Sequence, residues 1–186
     1  WNTCFSRKYS NSVDTAVSSD IKAMIELLCG NEEKIKRKKL NITSEFFWEN
    51  KFNISSVNTK TFILLLAQKK PLSFMSGAKV DLDKVLVSCN KNEFHHIFPD
   101  NYLKISLGIV DRAERFCLAN FAFISQTDNK KISNKNPKDY KKEINNNIID
   151  KVLESSFIQS NGLDIEYNDF IDERIKLLKE YAENLT

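Results

Sequence analysis

The chain has 186 residues, 41% hydrophobic and 28% charged, with 13 Phe and only 4 Gly and 3 Pro. That composition can build a core and excludes a disordered chain, and the length fits one domain or one domain with an appendage. The net charge of +3 does not announce nucleic acid, and the strongest apolar run, Phe62 to Ala67, is too short to span a bilayer.

Residues 1–13 read as a loop or a severed edge. Ser19 is placed to cap a helix whose apolar positions Ile21, Met24, Ile25 and Leu28 keep helical spacing, and Gly30 ends it. A basic run follows at Lys34, Lys36, Arg37, Lys38 and Lys39. Ser44 is placed to cap a short aromatic helix through Phe46, Phe47 and Trp48. Asn58 or Thr59 opens another, Phe62 to Gln68, which stops before Pro71. It is apolar on nearly every side and is expected to be the most buried helix.

Residues 72–92 read as a connector around Ser76-Gly77 and a short amphipathic piece, Leu82 to Val87. Phe94 to Phe98 reads as a strand that Pro99 ends. Residues 100–117 form an excursion with a helical turn near Tyr102 and Leu103. Phe121 to Ile124 reads as a second strand. Thr127 is expected to cap a helix that opens at Asn129. Asn136-Pro137 supplies a cap and a first-turn proline for the next helix. Helices over Ile148–Phe157 and from an Asn168 cap to Asn184 complete the chain, the last striped by Ile171, Ile175, Leu178 and Ala182. The fold class expected is α+β and mostly helical.

The four cysteines, Cys4, Cys29, Cys89 and Cys117, form no CxxC pair, so a zinc knuckle is not indicated. They read as reduced thiols of a cytoplasmic protein. The chain starts at Trp1 rather than Met and reads as part of something longer. Phe46-Phe47-Trp48 and Phe121-Ala122-Phe123 read as core, and Tyr140 as a packing residue with a wet hydroxyl.

The chain's two histidines are adjacent, in Phe94-His95-His96-Ile97-Phe98-Pro99. On an extended segment neighbouring side chains face opposite ways. One imidazole can hold a metal while the other meets a substrate, the division that a one-metal hydrolase needs. A second basic run, Lys130, Lys131, Lys135, Lys138, Lys141 and Lys142, follows Asn129. Taken alone, such a run is as well explained by a solvated helix face.

The order strand, excursion, strand, helix, with His95-His96 on the first strand, Asn120 before the second and Asn129 on the helix, resembles the HNH, or ββα-metal, endonuclease motif. The resemblance implies roles. His95 would be a metal ligand and His96 the general base. Asn120 would steady the loop carrying the base, and Asn129 would be the second ligand. A third protein ligand is not obvious; Asn134, one residue beyond the turn after Asn129, is the weaker candidate. One imidazole with amide and water oxygens points to Mg²⁺ or Mn²⁺ rather than Zn²⁺ or Ni²⁺. Lys130, Lys131 and Lys135 would hold DNA phosphates on the same face.

Lys70-Pro71-Leu72-Ser73-Phe74-Met75-Ser76-Gly77, Leu118-Ala119-Asn120-Phe121-Ala122-Phe123-Ile124, the stretch Asn129 to Tyr140, and Tyr167 to Arg174 extend the likeness. Together they are similar to the C-terminal nuclease half of GmrSD-like and SspE-like phage-restriction proteins. That similarity implies a helical scaffold over residues 1–70, joining an N-terminal ParB-like, nucleotide-dependent sensor domain. Residues 71–186 would be the HNH nuclease region, with C-terminal helices packing back on the scaffold. The expected partner is DNA, double-stranded, and not a membrane. A catalytically silent DNA-binding or partner-docking module of the same shape is the alternative, and RNA a further substrate to test.

Overall fold

The computed structural model describes residues 1–31, 40–88 and 93–186; the first basic run, Lys34 to Lys39, and Cys89 lie outside them. In chain order the elements are α1 (Asn2–Ser6), α2 (Val13–Leu28), α3 (Glu45–Trp48), α4 (Val57–Gln68), α5 (Leu82–Ser88), β1 (Phe94–His96), α6 (Arg112–Arg115), β2 (Phe121–Phe123), α7 (Gln126–Ile132), α8 (Pro137–Tyr140), α9 (Ile149–Ser155) and α10 (Tyr167–Glu183). The chain is a mixed α and β fold, mainly helical, with a small two-stranded antiparallel sheet. Among the described residues no helix is long and apolar enough to cross a membrane.

Helix α4 is the buried axis of the N-terminal part. Phe62, Ile63, Leu65 and Leu66 are all buried, so an all-round apolar segment ends up enclosed on most sides. Phe47 of α3 meets Phe62 edge-on at 6.4 Å. Residues 1–13 depart from the loop expectation. Asn2–Ser6 form α1, because Phe5 packs on Phe46 at 5.1 Å and gives the terminus an apolar anchor.

Helix α2 begins at Val13, not after Ser19, and Ser12 holds its N-cap position. Its end follows the expectation. Gly30, at φ 77°, lets its own N–H reach Leu27 O at 3.0 Å and that of Asn31 reach Glu26 O at 2.9 Å, the Schellman pattern. The apolar stripe of α2 stays exposed, with Leu28 at 86%.

Strand β1 pairs with β2 in the register Phe94↔Phe123, His95↔Ala122, His96↔Phe121. β1 ends two residues before Phe98, short of the expected strand, because loop partners take over its backbone groups (below). The excursion between the strands holds a π-helical turn at Tyr102–Ser106 and the helix α6, which sequence periodicity did not indicate. Ser125, not Thr127, caps α7 by accepting from Asp128 N at 3.1 Å. Asn129 therefore lies in mid-helix instead of opening it. Asn136 caps α8 through Lys138 N at 3.0 Å with Pro137 in the first turn, as its sequence indicates.

Helix α10 starts at Tyr167, with Glu166 at the N-cap and Asn168 inside the helix. Its stripe of Ile171, Ile175, Leu178 and Ala182 is buried throughout. Burying each large aliphatic side chain stabilises the fold by about 1.5–3 kcal/mol. α10 packs on α3 and on the turn Leu118–Asn120, so the last element of the chain touches both the N-terminal helices and the approach to β2.

Candidate functional site

The two imidazoles are separated by the pleat. Phe94 and His96 share a face with their register partners Phe123 and Phe121, while His95 pairs with buried Ala122 on the other face. The His96 ring lies 4.6 Å from Phe116, edge-on, and 4.2 Å from Phe121. Burial between these rings pulls the imidazole down to about 4; Asp100 opposes the shift, and His95 and Arg115 add to it. Near neutral pH the ring is uncharged. Its Nε2 is buried and has no hydrogen-bond partner among the described residues.

Both histidines border a cavity of about 600 Å³, whose other walls include Lys51, Phe52, Phe94, Arg112, Phe116 and Phe121. The wall carrying Lys51 and Phe52 arrives from the N-terminal part of the chain. Phe52 N donates to Phe116 O at 2.8 Å and Leu118 N to Asn50 O at 3.0 Å, and Phe52 stacks on Phe121 at 4.1 Å.

The loop leaving His96 is held at every step. Ile97 N donates to Asn120 O at 2.8 Å. Asn120 Oδ1 accepts from Phe98 N at 2.9 Å, and Nδ2 donates to Phe98 O and Arg115 O, both at 3.1 Å. Tyr140, fully buried, donates its hydroxyl to Ile97 O at 2.9 Å. That hydroxyl is therefore dry, against the sequence expectation. Burial drives its pKa well above the usual tyrosine range.

Arg174 of α10 is a residue that sequence reasoning missed. It is 1% exposed. Its guanidinium donates to Ser156 O from Nε at 3.1 Å and from Nη2 at 2.9 Å, and from Nη1 to Ala119 O at 2.6 Å and Phe121 O at 2.8 Å. It thus grips the backbone on both sides of Asn120. Burial lowers its pKa to about 9. The only hint in the sequence is a cation on the same helix face as Ile171, Leu178 and their neighbours. Arg115 does similar work in the excursion, bonding Asp100 at 2.5 Å and Ile109 O at 3.0 Å.

Asn129 is half-buried on α7, next to buried Asp128. Asp128 accepts from Ser73 Oγ at 2.5 Å and Met75 N at 3.4 Å, tying α7 to the 73–77 loop. Asn134 is exposed in the turn beyond α7. Ser133, at φ 53°, ends the helix before Asn134. Lys130 and Lys131 are exposed on α7, and Lys135 is exposed and paired with Glu143 at 2.5 Å. Cys117 is buried beside Tyr167, 3.7 Å from its hydroxyl, and burial pushes the thiol up to about 11, which marks an unreactive packing residue.

Among the described residues no three His, Cys, Asp or Glu side chains cluster as a metal cage. The residues expected as ligands, His95, Asn129 and Asn134, offer one imidazole and neutral carboxamides, and neither asparagine borders the cavity that His95 and His96 line. Such a set fits a hydrated, oxygen-preferring cation completed by water, and fits Zn²⁺ poorly.

An uncharacterized protein of Methanocaldococcus jannaschii is 28% identical over 148 residues, 77% of this chain and 24% of that protein. The chain thus spans about a quarter of that relative's length. No family model and no solved structure matches the chain.

Proposed function

We propose that the chain is an HNH-type, metal-dependent endonuclease that hydrolyses phosphodiester bonds of DNA. The observation that carries this reading is His96: an uncharged imidazole on a cavity wall, with a buried nitrogen that has no hydrogen-bond partner among the described residues. A buried unsatisfied polar atom costs about 1–3 kcal/mol, and a proton-accepting role explains keeping it.

In this mechanism His96 takes a proton from the attacking water. Phe116 and Phe121 hold its ring and keep it neutral. Asn120 and Tyr140, through Phe98 and Ile97, fix the backbone that follows it. His95 and Asn129 would hold the divalent cation, with Asn134 the weaker third ligand. Bound there, Mg²⁺ or Mn²⁺ would stabilise charge on the phosphate and the leaving 3′-oxygen. Lys130 and Lys131 would meet phosphates of the flanking duplex, with Lys135 partly neutralised by Glu143. On the same reading the chain is the effector part of a phage-restriction protein whose other part is a ParB-like sensor.

The test is conversion of supercoiled plasmid to open circle by purified protein with Mn²⁺ or Mg²⁺. His96→Ala should abolish nicking and leave a gel shift intact. A wild-type protein that shifts DNA but never nicks it with either cation establishes the silent binding module instead, and preferential digestion of RNA in a parallel reaction moves the substrate to RNA.

A further inference from the structure

We infer that Lys51 and Arg112 are the cations that seat the reacting phosphodiester in the cavity beside His96. Both border that cavity, although they lie far apart in the sequence. The segment carrying Lys51 is brought to the cavity by its antiparallel bridge to Cys117, one residue beyond the Phe116 ring on which Arg112 lies.

Both side chains are exposed. Neither is in an ion pair among the described residues, whereas Lys135, Lys138, Lys141 and Lys142 are each paired, with Glu143, Glu166, Asp164 and Asp139. Arg112 sits 4.7 Å over the Phe116 ring, which holds the guanidinium plane while its edge donors stay available. The neighbouring carboxylate of Asp111 is occupied capping α6, accepting from Ala113 N at 2.7 Å. Two unpaired cations above low-dielectric aromatic walls focus a positive potential. His96 borders the same cavity. The chemistry recognised is a phosphate anion; that it belongs to a nucleic-acid backbone rests on the nuclease reading.

The test is binding of a duplex oligonucleotide in EDTA across a salt series, together with plasmid nicking in Mn²⁺. The double variant Lys51→Gln, Arg112→Gln should bind about tenfold more weakly and flatten the plot of log K against log salt by about 2, since each lost contact removes about 0.9. Nicking should fall with it. The charge-keeping pair Lys51→Arg, Arg112→Lys should retain the slope. Lys179→Gln, which removes a lysine paired with Glu183 on α10, should leave it unchanged. Both positions are exposed, so thermal melts of the variants should match the wild type. An unchanged slope and unchanged nicking in the double glutamine variant overturn the inference, even if the wild type nicks. Displacement of the oligonucleotide by equimolar orthophosphate overturns the assignment to a backbone. A wild type that never nicks, with a double variant that still loses slope, sustains the phosphate seat and removes the nuclease reading alone.

Discussion

Asn120 and Phe98 are joined in both directions: the side-chain oxygen of Asn120 accepts from Phe98 N at 2.9 Å, and its nitrogen donates to Phe98 O at 3.1 Å. A carboxamide thus completes the pairing where β1 stops, and both groups are buried. Asn120→Ala should strand Phe98 N–H and C=O without partners and cost about 2–4 kcal/mol. Asn120→Asp keeps the acceptor but turns the donor into a second acceptor facing two carbonyls, and should also destabilise. Urea unfolding measures both; a loss below about 0.5 kcal/mol in the alanine variant contradicts the assignment.

Arg174→Met should lower stability by about 3 kcal/mol. The buried cation itself is costly, as its depressed pKa shows, so removing the charge relieves some desolvation. The carbonyls of Ser156, Ala119 and Phe121 remain, however, buried and without their donor, and that loss dominates. Arg174→Lys should recover little, because an ammonium cannot span carbonyls on two sides with a planar fork. Thermal melts of the two variants, compared side by side, decide this; a fully stable Met variant contradicts it.

Stability should fall as the pH drops from about 6.5 toward about 4, in EDTA. The folded-state pKa of His96 lies below its ordinary value, so between those limits the unfolded chain binds the extra proton. The contribution is present above 6.5 and is lost as the pH falls toward 4. His96→Phe keeps a ring between Phe116 and Phe121 and removes the titration. Its urea midpoint should therefore decline less than that of the wild type between pH 7.5 and 5. Parallel declines would show that other groups set the acid sensitivity.

Asn129→Ala should leave the fold intact, since the side chain is half-buried on a helix capped independently by Ser125. It should raise the Mn²⁺ or Mg²⁺ concentration for half-maximal nicking by about tenfold, at least the loss that outer partners of a metal ligand produce. An unchanged cation titration would assign the second ligand elsewhere.

Patterns carried by nearby residues were legible in the sequence. The apolar run of α4, the Asn136-Pro137 start of α8, the Gly30 stop of α2 and the buried stripe of α10 each depend on residues within a turn or two, and side-chain type reports such features directly. Cap positions were less legible. Ser125 and Thr127 are equally able caps, and the choice fell to Ser125 because β2 ends at Phe123 and leaves an extended residue there.

By itself the sequence determined a helix-rich α and β chain, the adjacent imidazoles and their opposite faces, and the order of strand, excursion, strand and helix around them. Tertiary structure alone decided what surrounds His96. Lys51 reaches the cavity through a backbone ladder, Tyr140 caps the Ile97 carbonyl, and Arg174 clamps the carbonyls flanking Asn120. The physical reason is common to all three. Their partners are peptide groups, which every residue carries alike, so no side-chain pattern marks which carbonyl a distant donor will find.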